Sequence, residues 1–460
     1  MTLIKSIAGI RGTIGGNPGE TLSPLDVVKY AAAFGEILKS KFKNPKVVIG
    51  RDARPSGPMI GALLSNTLIA QGIDVIDTGL STTPTVEMAI VAEKAQGGVV
   101  ITASHNPIGW NALKLLNEAG EFISAEFGAE VLKRADAGNY SFGESKNIGK
   151  IIPLEATIAD HIDKILDLDL VDVPSIKAKK FKVILDAVNS TGGIAIPLLL
   201  EKLGVEVVQI NGEPTGIFAH NPEPLPENIS QICKEIENGK FDLGIVVDPD
   251  VDRLALVSEN GEPFGEEYTL VAISDYVLSK TPGNTVSNLS STQALKVVTE
   301  KRKGIYHPAA VGEVNVVAKM KEVAAVIGGE GNGGIIYPEL HYGRDALVGI
   351  ALFLSHLAQF GRPASMLRAQ YPNYFISKNK IELTPEINID AILETLKNKY
   401  AKHPINTIDG LKIEFDNDWI HLRKSNTEPI IRIFAESESL VTADHLANKI
   451  ISDIKEIITD

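Results

Sequence analysis

Asp248, Asp250 and Asp252 place three carboxylates on alternate residues, with Arg253 directly after them and the apolar run 244–247 directly before. On an extended loop, alternate side chains point to one side, and three unneutralised carboxylates gathered there repel one another. A hard divalent cation with oxygen ligands relieves that repulsion. A solvated acidic turn is the plain alternative, but a buried strand leads in and another, 254–257, leads out. A calcium EF-hand would also use Asp248, Asp250 and Asp252, with Glu259 closing the loop, yet Arg253 stands where its sharp turn needs glycine and the flanks read as strands, not helices. Mg2+ sharing its shell with a phosphate fits three carboxylates and one arginine better.

Three further loops carry unusual chemistry. Thr102-Ala103-Ser104-His105-Asn106-Pro107 follows an apolar strand, so the Ser104 hydroxyl is presented at a turn. A Ser-His-Asp hydrolase is one use for such a serine. Adjacent side chains on an extended chain diverge, however, which places His105 badly for deprotonating Ser104, and no Gly-x-Ser-x-Gly elbow surrounds it. The segment from Arg423 to Arg432 brings Ser425, Asn426 and Thr427 between two arginines. Arginine forks match phosphate oxygens, and hydroxyl and amide donors fill the remaining lone pairs; a charged surface hairpin is the alternative. Gly329-Glu330-Gly331-Asn332-Gly333-Gly334 matches a dinucleotide fingerprint, which needs a helix to follow. Strand-like Ile335-Ile336-Tyr337 and Pro338 follow instead. What remains is a flexible loop presenting Glu330 and Asn332 to sugar hydroxyls. Arg11, in Gly9-Ile10-Arg11-Gly12, and Lys114 add basic points near the first unit.

The elements that position these loops are legible from periodicity. Ser23-Pro24 followed by Asp26 reads as an N-cap, a first-turn proline and a first-turn acid, starting a helix that runs to about residue 42. Strands at 47–49, 73–76 and 98–101 alternate with helices at 59–70 and 85–95. A second run has strands 182–186, 205–210 and 243–247 with helices 194–203 and 229–237. The third has helices 269–278, 314–320 and 345–359, another starting at residue 292, and strands 285–289 and 324–327. Such alternation implies right-handed βαβ units and parallel sheets, whose ligands sit beyond the carboxyl ends of the strands. From about residue 370 the pattern changes: a helix at 389–399, antiparallel strands 411–415, 419–423 and 430–434, and a last helix over 446–458.

Composition narrows the class. At roughly 100–200 residues per domain, 460 residues make three or four domains. Acidic residues outnumber basic ones, 58 to 45, for a net charge of −13, which argues against a nucleic-acid partner. A single cysteine, Cys233, excludes an internal disulfide framework. There is no apolar run of about 18 residues to span a membrane and no leader-like segment at residue 1 onward. A soluble, cytoplasmic, multidomain protein is expected, with no membrane partner.

Taken together and in order, these loops resemble those of the α-D-phosphohexomutase superfamily, which includes phosphoglucomutases, phosphomannomutases and phosphoglucosamine mutases. Residues 102–107 are similar to its phosphoserine loop, 248–253 to its metal loop, 328–334 to its sugar loop, 423–432 to its phosphate loop, and 9–12 to its opening motif. The resemblance implies an α/β fold of three mixed domains (1–153, 154–256 and 257–369) and a C-terminal α+β domain (370–460) around a central cleft. It implies phosphorylation of Ser104, with Ser104, Asp248, Asp250 and Asp252 as Mg2+ ligands. Arg253 is then set beside the phosphoryl group, Lys114 is a candidate for proton transfer, and His105 is a further catalytic candidate. Arg11, Glu330, Asn332, Arg423, Ser425, Asn426, Thr427 and Arg432 are implied to bind substrate. The implied reaction moves phosphate between O6 and O1 of a hexose phosphate through a sugar 1,6-bisphosphate. Asn332 and Gly334 stand where many bacterial members carry Ser and His, and Glu313 where the phosphomannomutase branch often has His. Asn332-Gly333-Gly334 is similar to the archaeal-type branch, several of whose members are implicated in glucosamine phosphate conversion. That likeness favours glucosamine phosphate over mannose or glucose phosphate, with a metal-dependent sugar phosphatase as a rival and a homo-oligomer left open.

Overall fold

Apolar residues alternate along the first strands. Val47, Ile49, Val99, Ile101, Leu113 and Leu115 join one cluster, while Val48, Val100 and Leu116 join another on the opposite face. That period of two requires a sheet covered on both sides. In the computed structural model, which describes residues 2–6, 9–382, 387–424 and 430–459, the helices Pro24–Lys41, Gly57–Ala70 and Ala125–Ala137 contribute to the first cluster and Thr83–Ala92 to the second. The Pro24–Lys41 helix begins with the expected cap. The Ser23 side chain accepts from the Asp26 N–H and the Asp26 carboxylate accepts from the Ser23 N–H, a reciprocal capping box.

Four sheets follow one another along the chain. The first is ordered Ile4–Ser6, Gly9–Thr13, Trp110–Leu116, Gly97–Ile101, Lys46–Arg51, Asp74–Leu80, Ile151–Pro153. The second runs Leu254–Ser258, Leu243–Val247, Lys182–Asp186, Glu206–Ile210, and the third Tyr306–Ala309, Asn284–Asn288, Ala325–Glu330, Gly334–Ile336. The fourth is antiparallel throughout: Phe375–Glu382, Ile430–Ser437, Trp419–Lys424, Leu411–Glu414, Ile405–Asn406.

The first three sheets are mixed, not purely parallel as strand–helix alternation implied. Gly97–Ile101 pairs antiparallel with Trp110–Leu116, Leu243–Val247 with Leu254–Ser258, and Ala325–Glu330 with Gly334–Ile336. Each chemistry-bearing loop is the connection that turns one of these strands back along its neighbour. In the fourth sheet Trp419–Lys424 and Ile430–Ser437 pair antiparallel; residues 425–429 between them lie outside the described residues. A hairpin connection is short, so it holds its side chains in a fixed relation to the strand ends.

The second and third units are not separate cores. Ile162, Leu199 and Ile245 belong to the same apolar cluster as Leu270, Phe353 and Leu367. The helix Ala346–Phe360 is buried along most of its length, with Asp345 capping its start, at the centre of this shared core.

Candidate active site

Strand Gly97–Ile101 leads into Thr102, whose hydroxyl donates to Asp52 Oδ2 at 2.6 Å and accepts the Ser104 N–H at 2.9 Å. Ser104 then adopts a φ of +47°, a conformation that costs a residue with a β-carbon about 1–3 kcal/mol. Arg54 enforces it. This arginine is completely buried and pairs through Nε with Asp52 Oδ2 at 3.0 Å. Its terminal nitrogens donate to the carbonyls of Ser104 and Asn106 at 2.6 Å, Pro107 at 2.7 Å and Trp110 at 3.0 Å. The loop is thereby wrapped round a guanidinium, and Ser104 Oγ donates to Asp248 Oδ2 at 2.6 Å. The same reversal corrects the expectation that His105 diverges: its Nδ1 lies 3.3 Å from Ser104 Oγ. Burial, reinforced by the Arg253 charge, holds His105 well below the ordinary imidazole range, so the ring is neutral.

The aspartate loop is curled, not extended. Asp248 Oδ1 accepts the N–H groups of Asp252 at 3.1 Å and Arg253 at 3.2 Å, and Val251 sits at φ +62°. Neighbouring units clamp the loop from several sides. The Thr83 hydroxyl donates to Asp250 Oδ2 at 2.5 Å and its N–H to the Asp250 carbonyl at 2.9 Å. The Ser190 and Thr191 hydroxyls hold the Pro249 carbonyl at 2.7 and 2.8 Å, and the Ala346 N–H donates to the Val251 carbonyl at 3.1 Å. Asp248, Asp250 and Asp252 are fully buried, with ligand oxygens within 4.8 Å of one another.

Lys114 Nζ reaches Asp250 Oδ2 at 2.6 Å and Asp252 Oδ2 at 3.0 Å. It leaves the Oδ1 atoms of both buried with no hydrogen-bond partner among the described residues. Burial works against the Lys114 charge, but Asp250 and Asp252 outweigh it and raise its pKa, so the amine stays protonated. Burial, followed by the charges of Asp252 and Asp250, pushes Asp248 well above the carboxylate range. Burial also opposes ionisation of Asp252, yet Arg344, Lys114 and Arg253 override it and hold that carboxyl below its usual value. Free carboxylate oxygens aimed into one buried space, with one carboxyl reluctant to ionise, are the donor set of a hard divalent cation.

The glycine-rich segment is not a flexible loop. It is a tight hairpin in which Glu330 pairs with Gly334. A β-carbon on Gly329 would lie 2.0 Å from the Gly334 carbonyl oxygen, and one on Gly333 2.3 Å from that of Leu254. The glycines therefore allow close backbone approach, not motion. Asn332 Oδ1 accepts the Gly334 N–H at 3.2 Å and closes the turn. Glu330 is buried, accepting from Asn288 Nδ2 at 2.8 Å and the Gly312 N–H at 3.1 Å.

Arg344, not among the residues singled out above, joins the two loops. Its guanidinium lies 2.7 Å from Asp252 Oδ2, 2.8 Å from Glu330 Oε2 and 3.1 Å from Glu313 Oε2. Burial opposes its charge, and Asp252, Glu313 and Glu330 more than compensate. Arg253 is paired with Glu223 at 2.9 Å.

The fourth sheet supplies a row of cations. Arg423 stands directly opposite Arg432, and Arg432 opposite Lys380 on the next strand. Like charges in facing positions repel one another; here Asp409 lies beside Arg423 and Glu382 beside Lys380. Lys380 was not found from the sequence because its alternating, charged strand gives a weak signal. Arg11 belongs to the same neighbourhood: burial, and then the Arg432 charge, lower its pKa. Arg423 Nε lies 2.7 Å from Asp409 Oδ2, which also accepts the Val311 N–H at 3.0 Å, next to the Gly312 that binds Glu330. A chain of contacts thus runs from Arg423 through Asp409, the 311–312 backbone, Glu330, Arg344 and Asp252 to Lys114. Ser425, Asn426 and Thr427 lie outside the described residues.

Comparison with known proteins agrees with this geometry. Models of the phosphoglucomutase/phosphomannomutase family match consecutively: alpha/beta/alpha domain I at residues 4–141, domain II at 159–261, domain III at 265–374 and the C-terminal domain at 380–452. The chain belongs to this family. It is a phosphohexomutase, an enzyme that transfers phosphate within a sugar phosphate. A probable phosphoglucosamine mutase of Methanopyrus kandleri is 31% identical over 98% of both chains. A phosphoglucomutase/phosphomannomutase of Thermococcus kodakarensis is 35% identical over 93% of this chain and 94% of that one. Among solved structures, a phosphoglucomutase/phosphomannomutase family protein from Burkholderia thailandensis superposes with a TM-score of 0.84 at 25% identity, over 98% of each chain. No helix among the described residues is long and apolar enough to cross a membrane.

Proposed function

We propose that this phosphohexomutase interconverts glucosamine 6-phosphate and glucosamine 1-phosphate through a phosphorylated Ser104. The observation that carries the reaction is Ser104 Oγ, held at a strained turn 2.6 Å from Asp248 Oδ2 in a buried three-aspartate loop. In the first half-reaction the bond between phosphorus and Ser104 Oγ breaks as the free sugar hydroxyl forms its own bond to phosphorus, giving a 1,6-bisphosphate. The proton that leaves the sugar hydroxyl is taken by neutral His105 Nδ1 and passed to the departing Ser104 Oγ, so the half-reaction releases none. The neutral His105 Nδ1, 3.3 Å from Ser104 Oγ, suits a proton exchange there. Lys114 is held charged and serves as an electrostatic partner of the aspartates, not as a base. Arg253, directly after Asp252, would meet phosphoryl oxygens by exchanging its contact with Glu223. Mg2+ bound by Asp248, Asp250, Asp252 and the seryl phosphate would neutralise charge on the transferred group. The sugar then turns over, and the second half-reaction returns the other phosphate to Ser104.

The row of Lys380, Arg423 and Arg432, with Arg11 facing it, suits the phosphate that is not being transferred. That second anion site favours a mutase over a sugar phosphatase, which has no phosphate to park. The choice of amino sugar rests on the carboxylates at the sugar end. Glu313 and Glu330 flank Arg344, which Asp252 already engages. This surplus of negative charge complements an ammonium at the sugar's C2 better than a neutral hydroxyl. The name of the Methanopyrus relative points the same way, and that of the Thermococcus relative supports glucose or mannose phosphate as the second reading.

Parallel assays on glucosamine, glucose and mannose 1-phosphates test the substrate. The expected kcat/KM is highest for glucosamine 1-phosphate by about tenfold or more, equivalent to about 1.4 kcal/mol, and Glu313→Gln narrows the gap. Equal or better turnover of glucose or mannose phosphate contradicts the substrate choice. Net release of inorganic phosphate in place of an isomeric product contradicts the mutase reaction itself.

A further inference from the structure

Behind the aspartate loop, side chains from three units meet in a second buried cluster. His161 lies on the helix Thr157–Leu166, Glu87 and Thr85 on Thr83–Ala92, and His341 and Asp345 on the turn that leads into Ala346–Phe360. Asp345 Oδ1 is committed to capping that helix, accepting from Leu347 N–H at 2.8 Å and Val348 N–H at 3.3 Å. Its Oδ2 instead receives two imidazoles, His161 Nε2 at 2.9 Å and His341 Nε2 at 3.3 Å. Ligand atoms bound to zinc at about 2.0–2.2 Å in a tetrahedron stand about 3.3 Å apart, so these separations need little adjustment to enclose an ion.

The surroundings resemble those that orient metal-bound histidines, in which the far ring nitrogen is held by a hydroxyl or carboxylate. His161 Nδ1 is 3.0 Å from Thr85 Oγ1. His341 Nδ1 is 3.3 Å from Glu87 Oε2. Glu87 adds to this: it is 1% exposed, and His341 is its ion-pair partner among the described residues. The chain makes room for it: a β-carbon on Gly343 would fall 1.8 Å from Glu87 Oε2. A buried carboxylate is costly unless positive charge is set nearby, and an imidazole bound to a cation through its other nitrogen supplies it. We propose that His161, His341 and Asp345 bind one zinc-class divalent ion, with Glu87 and Thr85 orienting the imidazoles. Nitrogen ligands favour Zn2+ over Mg2+ here, so this site and the all-oxygen aspartate loop select different metals. The ion would pin three structural units together, one residue away from Arg344.

The test uses the full-length protein, stripped with a chelator and reloaded with Zn2+ in excess Mg2+, then freed of unbound metal by gel filtration. About one equivalent of retained zinc is expected. His161→Gln should lose it while Asp250→Asn keeps it, and added Zn2+ should raise the unfolding midpoint of the wild type but not of His161→Gln. Co2+ substitution of the wild type should give the intense visible bands of a tetrahedral, nitrogen-ligated ion, a readout that needs no variant to fold. Absence of retained zinc, or zinc lost in Asp250→Asn and kept in His161→Gln, overturns the proposal. So does a Co2+ spectrum showing only weak octahedral bands.

Discussion

Ser104→Ala is expected to lose mutase turnover by about 10⁴-fold or more, as removal of a covalent nucleophile does in other enzymes. The fold should survive. Ser104 contributes one side-chain hydrogen bond to Asp248 and one contact to His105, and removal of one buried hydrogen bond costs about 1–3 kcal/mol. Arg54 continues to hold the loop through the backbone carbonyls of residues 104, 106, 107 and 110, which alanine retains. Steady-state assay with added sugar 1,6-bisphosphate, beside thermal unfolding, checks both halves of the expectation. Activity near that of the wild type would remove Ser104 from the chemistry.

Arg54→Met should be nearly as damaging for a different reason. Methionine fills much of the volume but makes none of the hydrogen bonds. The Asp52 carboxylate, wholly buried, then keeps the Thr102 hydroxyl and the 54 backbone N–H as donors but loses its charged partner. Breaking a buried ion pair from one side costs about 3–5 kcal/mol. The carbonyls of the serine loop lose the donor that gathers them, so Ser104 relaxes from its positive φ. Misplacing a reacting atom by about 1 Å costs about 10²-fold in rate. The expected outcome is a lower unfolding midpoint and, below that midpoint, a kcat reduced by about 10²-fold with a smaller change in KM. Wild-type kcat in a folded Arg54→Met protein would show that the loop holds its shape without the arginine.

These two residues mark the boundary of what the sequence discloses. Ser104 and the three aspartates were legible because each loop concentrates its chemistry within a few consecutive residues. Arg54 was not, because its partners are backbone carbonyls some fifty residues away, and carbonyls leave no trace in residue type. Arg344 was hidden similarly: its partners Asp252, Glu313 and Glu330 are assembled only by the fold. Periodicity located the helices Ile389–Lys399 and Ala346–Phe360 closely, because their apolar spacing and end residues are unambiguous. It missed the strand Trp110–Leu116, whose apolar residues, interrupted by Asn111 and Lys114, have no clean period. With that strand went the antiparallel return that makes 102–107 a hairpin connection. The glycines at 329 and 333 were read as freedom, whereas their neighbours' carbonyls lie where a β-carbon would be. Nor does periodicity reveal that residues 157–202 and 346–367 share one apolar core, since an apolar face does not name what covers it.

The most direct measurement follows the phosphoryl group itself. Protein carrying a radiolabelled phosphoryl on Ser104 is mixed with unlabelled glucosamine 6-phosphate and quenched within a single turnover. The expected result is rapid loss of label from the serine, its appearance first in the sugar bisphosphate, and its later recovery in sugar monophosphate while unlabelled phosphate returns to the protein. Label that stays on Ser104 while the sugar phosphate isomerises, or that emerges as inorganic phosphate, would contradict transfer through this serine.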